Sequence, residues 1–214
     1  DVTSIETSTS ARRMCASQEV LEAQLAADPT LAIRMNEIEA FTQKSISNKN
    51  FRLSSTGKII IPVVVNVLYK TAAENISDAQ IASQIAVLNK DFTATNSDFG
   101  SIPSLFSGVA ANVDITFELV TINRKATTKT SWGTRDAMKK SKQGGIAPTS
   151  PSNTLNLWAC TIGGGILGYA QFPGGAAATD GVVIDSKYFG VTSNSGTSYP
   201  YNLGRTASHE VGHW

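Results

Sequence analysis

Apolar residues recur along this chain with two different periods, and the change from one to the other divides it. Residues 17–44 follow the helical period. Leu31, Met35, Ile38 and Phe41 recur three or four apart, and Asp28-Pro29 offers an N-cap followed by a proline at the first helical position. Residues 1–16 read as a flexible leader. The stretch Lys44–Lys58, KSISNKNFRLSSTGK, is polar and basic, which predicts an exposed linker open to proteolysis, with Lys44, Lys49 and Arg52 as cut sites. Beyond it the period shortens to two. Lys58–Tyr69 is a β-branched run that predicts a buried strand, with Pro62 near its start or on an unpaired edge. Ser77-Asp78-Ala79-Gln80 has the form of a capping box and opens a helix carrying Ile81, Ile85, Leu88 and Phe92 on one face. Strands are then predicted at Val113–Val120, Leu155–Cys160, Gly168–Phe172 and Gly181–Asp185, and a last helix begins near Asn202. The order strand, helix, four strands, helix predicts an α/β fold: a twisted mixed five-stranded sheet with helices packed on it.

Composition narrows the function. The 214 residues carry a net charge of +1, and only 16% are charged. With no basic stripe to neutralise phosphates the chain is not read as a nucleic-acid binder, and with no polybasic cluster it is not read as membrane-associated. The longest apolar run, Ile59–Val65, is broken by Pro62 and is too short to span a bilayer. Asp1–Ser10 is acidic and rich in Ser and Thr, so any secretory signal is expected to have been removed already.

The chemistry gathers at one end. The two histidines of the chain, His209 and His213, flank Glu210-Val211-Gly212 in an H-E-x-x-H pattern. On a helix, residues i and i+4 share a face, so both imidazoles reach one ion. Zinc (Zn2+) accepts imidazole nitrogen at about 2.0–2.1 Å, and a catalytic site keeps a position for water. Glu210 is placed to take a proton from that water. Leu203, Ala207, Val211 and Trp214 fall within an arc of roughly 80°, well away from the histidines, so one face can pack while the other presents ligands.

The match extends upstream. Gly168-Tyr169-Ala170-Gln171-Phe172-Pro173, then Thr179–Ile184, then Leu203–Trp214 resemble the pappalysin family of the metzincin clan of zinc metallopeptidases. That resemblance covers most of residues 58–214. It implies an α/β metzincin-like upper subdomain, with an antiparallel edge strand, a backing helix and an active-site helix. It makes His209 and His213 zinc ligands and Glu210 the general base. A third histidine, a glycine and a Met-containing turn complete the family pattern and would lie beyond Trp214. The expected organisation is a mainly helical pro-segment with its linker at residues 1–50, and an upper subdomain at residues 51–214 that is incomplete at its C-terminus. The expected protein is a secreted, latent endopeptidase acting on proteins or peptides. The rival reading is a catalytically inert fragment lacking the third zinc ligand. Calcium (Ca2+) is also implied by the resemblance, at sites the sequence does not locate.

Cys15, in Arg12-Arg13-Met14-Cys15-Ala16, precedes the linker, as does the cysteine with which related zymogens cover their zinc. A thiolate binds zinc at about 2.3 Å and would displace the catalytic water, making the pro-segment an intramolecular inhibitor. A free thiol, or a disulfide with Cys160, stays open beside that reading. By the same resemblance Gly168, Tyr169, Ala170, Gln171 and Phe172 bind substrate by strand addition, with a plain hairpin arm as the alternative. Gly163–Gly168 matches G-x-G-x-x-G but opens no helix, so it reads as a turn. Trp132 and Trp158 read as core.

Overall fold

The computed structural model describes residues 14–47, 59–192 and 200–214. Lys49 and Arg52 of the expected linker, and most of the expected leader, lie outside the described residues. Two helices come first, α1 (Ser17–Ala27) and α2 (Leu31–Ser47). Asp28 closes the first of them and also caps the turn that leads into the second. Its carboxylate accepts from the Thr30 N–H and hydroxyl at 3.0 and 2.6 Å, so Pro29 and Thr30 form a corner and α2 begins at Leu31. Lys44–Ser47, expected in the linker, are the last turn of α2. Ser45 and Ser47 each donate a hydroxyl to the carbonyl four residues back, which lets polar residues finish the helix.

The sheet contains β1 (Ile59–Tyr69), β2 (Ile115–Ala126), β3 (Leu155–Cys160), β4 (Gly168–Ala170) and β5 (Val182–Asp185), in the order β2-β1-β3-β5-β4. All pairs are parallel except β4 with β5, so the expected mixed sheet with an antiparallel edge is present. Pro62 faces β2 alone, because pairing with β3 starts at Val63, so the proline disturbs one ladder and not two. β2 runs six residues past its expected end. Its register slips between Leu119 and Thr121, which leaves Val120 exposed and breaks the alternation on which the expectation rested. The polar continuation is held by side chains: Asn123 donates to Asn66, and Arg124 grips Asn75, the Ile76 carbonyl and Asp78.

Alternation builds two cores. Val63, Val65, Val67, Leu155, Leu157, Ala159, Ala170, Val182 and Ile184 point to one face. There α3 (Asp78–Phe92) brings Ile81, Ile85 and Leu88, and α5 (Arg205–His213) brings Ala207 and Val211. Leu68, Trp158, Cys160, Tyr169 and Val183 point to the other face, where Trp132, Met138, Ala16 and Val20 cover them, so both tryptophans are core. A short helix α4 (Ser104–Ser107) lies in the connection to β2. Ser77 caps α3 by accepting from Gln80 N–H at 3.2 Å, but the Gln80 side chain donates to the Phe189 carbonyl at 2.8 Å, so only half the capping box forms. Leu203 lies outside α5 and is exposed, contrary to its expected place on the packed face. Gly204, at φ +74°, turns the chain just after it and restarts the helical phase at Arg205.

Candidate metal centre

α5 sets the centre by what it buries. Thr206, Ala207, Glu210 and Val211 face inward, which leaves His209 exposed and His213 half-buried one turn apart. Their Nε2 atoms stand 3.1 Å from each other. α5 packs on β4 through Gly168, where a side chain would meet the Val183 carbonyl at 2.9 Å and Glu210 Cγ at 3.0 Å. That close approach carries Glu210 under the edge strand, fully buried.

The fourth member comes from the other end of the chain. Residues 14–16 run along β4 through one isolated parallel bridge: Leu167 N–H donates to the Met14 carbonyl at 3.0 Å, Ala16 N–H to the Gly168 carbonyl at 3.1 Å, and Cys15 pairs with Gly168. Cys15 Sγ thereby reaches Glu210 Oε2 at 3.2 Å and His213 Nε2 at 3.6 Å. Burial raises the thiol above its usual range, hydrogen bonds at Ser17 oppose this, and the neighbouring Glu210 adds to it. Cys160 is buried on the opposite face of the sheet and both thiols are free, so no disulfide joins them.

Sequence reasoning missed Ser17, which is 1% exposed. Its hydroxyl donates to Glu210 Oε2 at 3.0 Å and accepts from Ala170 N–H at 2.9 Å. A serine at the first position of a helix gives no hint of this in sequence. Of the expected substrate residues, Gly168 and Ala170 face α5, while Tyr169 points into the other core. Gln171 lies just past β4, is buried, and accepts from Gln24 of α1 at 3.1 Å. The Phe172 ring sits 5.4 Å from that of His213.

The donor set fits a metal ion. One atom each from Cys15, His209, Glu210 and His213 lie within 4.8 Å of one another, the one such cluster among the described residues. Around a tetrahedral zinc, two imidazole nitrogens stand about 3.3 Å apart and a thiolate stands about 3.6 Å from an imidazole, from the usual bond lengths. The distances here are 3.1 and 3.6 Å.

A mixed sheet whose antiparallel edge borders an H-E-x-x-H helix is the layout of a metallopeptidase metal site. No family model matches the chain. The sequence is 33% identical over 176 residues to an extracellular metalloprotease of Colletotrichum graminicola, covering 77% of this chain and 52% of that protein. Extracellular metalloprotease 1 of Coccidioides posadasii is 33% identical over 148 residues, covering 65% and 43%. A mutant promirolysin of Tannerella forsythia superposes with a TM-score of 0.81 at 38% identity, covering 94% of this chain and 68% of that one. Mature mirolysin in complex with a cleaved peptide superposes at 0.70 with 43% identity, covering 75% and 64%. The fold is the metzincin fold, and the chain belongs to the family of extracellular metalloproteases that includes mirolysin. It spans about half the length of the curated relatives it matches.

Proposed function

We propose that this chain is the latent half of a secreted zinc endopeptidase of the pappalysin type, with residues 1–50 as its pro-segment and Cys15 as the lock. The observation that carries the reading is the meeting of Cys15, His209, Glu210 and His213 from opposite ends of the chain. His209 and His213 would hold the ion, with Cys15 as a third donor in the latent form. Once bound, zinc supplies Lewis acidity to a water and to the scissile carbonyl. The remaining work falls to protein groups. Glu210 is buried beside the first ligand, and its Oε2 accepts from Cys15 and Ser17 in the latent state. When both withdraw, that oxygen is the general base for the attacking water, and the proton it takes can pass to the leaving amine. The β4 edge, occupied by residues 14–17, becomes the place where an extended peptide adds as a strand. Residues 14–17 therefore block the ion, the base and the peptide edge together. The names of the relatives, extracellular metalloproteases, support secretion. No helix among the described residues is long and apolar enough to cross a membrane.

Zinc quantitation on this chain, with peptide cleavage by the full-length protein before and after limited proteolysis, tests the reading. The chain should retain zinc and lose it in the His209→Ala/His213→Ala variant. The full-length protein should cleave peptides only after the N-terminal segment is cut, and Glu210→Gln should abolish cleavage while zinc stays bound. A chain that takes up no zinc, with a full-length protein that cleaves nothing after processing, would overturn it.

A further inference from the structure

The proposed metal centre leaves a buried ammonium unexplained. Lys139 has no exposed side-chain surface. Its ammonium lies 3.0 Å from Asp136 Oδ1 and donates to the carbonyls of Thr179 at 2.6 Å and Gly181 at 3.4 Å, and it stands 5.3 Å from the ring centres of both Trp158 and Tyr169. Tyr169 donates its hydroxyl to the same Asp136 oxygen at 3.0 Å. Asp136 itself sits in the left-handed region at φ +57°, a conformation uncommon outside glycine. Burial pulls the ammonium below its usual range and Asp136 opposes that pull.

A buried ion pair is by itself weak evidence for stability, since apolar residues of the same volume are commonly as good. What it touches is more telling. Tyr169 is the middle residue of β4, a strand of three residues whose one continuous ladder is with β5 and whose other side carries the single bridge to Cys15. A strand so short, with one ladder, needs other support. The turn 179–181 is the other point of grip, and it is bonded both to the end of the edge strand and to the end of α5. Gln171 N–H donates to the Gly181 carbonyl at 3.2 Å and the Thr179 hydroxyl donates to Gln171 Oε1 at 2.7 Å. Trp214, next to His213, donates its indole N–H to both oxygens of Asp180 at 3.2 Å. One ammonium–carboxylate pair thus holds the edge strand and the turn that joins it to the end of α5.

We propose that Lys139 and Asp136 are positioning residues that fix the peptide-binding edge, β4, relative to the metal-binding helix α5. This rests on β4 being the edge that receives substrate. The test compares wild type with Tyr169→Phe and with the charge-free double variant Lys139→Met/Asp136→Leu. The double variant should stay folded but melt somewhat lower than wild type, since it removes these partners of the Tyr169 hydroxyl and the Thr179 and Gly181 carbonyls and places a leucine at the left-handed position 136. In this chain, amide exchange over residues 167–172 should quicken roughly tenfold while the rest of the sheet stays protected, as for a local opening. In the processed full-length protein, KM should rise roughly fivefold to tenfold with a smaller change in kcat, the pattern of lost ground-state binding. Zinc affinity should not change. A folded double variant with wild-type exchange, or with faster exchange but an unchanged KM, overturns the proposal. If the double variant does not fold, Tyr169→Phe decides by the same two readings. A parent that holds no zinc and cleaves nothing defeats the enzymatic reading instead, and the exchange comparison still decides whether the pair clamps β4.

Discussion

The two N-terminal helices and the sheet hold themselves together in opposite ways. α3, packed on the sheet, buries Ile81, Gln84, Ile85 and Leu88. α2 is longer yet buries only Leu31, and leaves Ile33, Ile38, Phe41 and Ile46 exposed. α1 buries Ser17 and Val20. The sheet is joined by apolar burial, which is non-directional and spread over many residues. The N-terminal region adds only Ala16 and Val20 to the sheet's second core and is otherwise joined through a short seam of specific contacts: the bridge of residues 14–16 to β4, Gln24 with Gln171, and Arg34 Nε with the Gly174 carbonyl at 2.7 Å. A seam of that kind can be undone without melting what it covers, which is what a removable inhibitor requires.

The largest effect expected from this contrast falls on the sheet. Leu157 is fully buried in the central strand β3, and Leu157→Ala should cost about 2–5 kcal/mol, a large share of a domain's stability. Denaturant unfolding would read it. A loss below 1 kcal/mol, roughly a surface substitution's worth, would show that the sheet is not the continuous core described here.

Next comes the seam at its most concentrated point. Cys15→Ala in the full-length protein should leave the midpoint of sheet unfolding nearly unchanged while shortening the lag before peptide cleavage by roughly tenfold or more, since a charge-assisted contact of this kind carries about 1.5–3 kcal/mol. Unchanged latency would place the lock elsewhere. Ser17→Ala should follow with a smaller shortening. It removes a donor to Glu210 and an acceptor for Ala170 N–H but leaves the thiol in place. Equal lags for wild type and Ser17→Ala would reduce the serine to packing.

The contrast also explains which parts were legible in sequence. The sheet could be read because alternation and apolar burial are local, so Leu155, Leu157 and Ala159 announced their shared face. His209, Glu210 and His213 could be read because helical spacing alone brings them together. Half of β2 could not, because a bulge at Val120 reverses the alternation and polar residues continue the strand through side-chain bonds at Asn123 and Arg124. Cys15 stood out only through likeness to other zymogens. Ser17, Asp136 and Lys139 gave no sign, since each acts through partners far along the chain: Glu210, Tyr169 and the carbonyls at 179 and 181.

The smallest effect belongs to the corner between α1 and α2, and it depends on pH. Asp28 is held at about 2 against an ordinary 3.8, first by the Thr30 hydroxyl and then by Arg34, whose guanidinium also reaches Gly174. Because the folded value is the lower one, the support Asp28 gives is present in full above the ordinary carboxylate range. It fades as pH falls and is gone once the pH passes below about 2. The carboxylate is solvent-exposed, so the effect is local and screened by salt. Amide exchange over residues 31–38 in metal-free chain, wild type against Asp28→Asn, should therefore differ above pH 3.8, converge between there and about 2, and coincide below. A difference that ignores pH would mean that Asp28 supports the corner by shape alone. Arg34 would then anchor α2 to the sheet through the Gly174 carbonyl without help from the carboxylate.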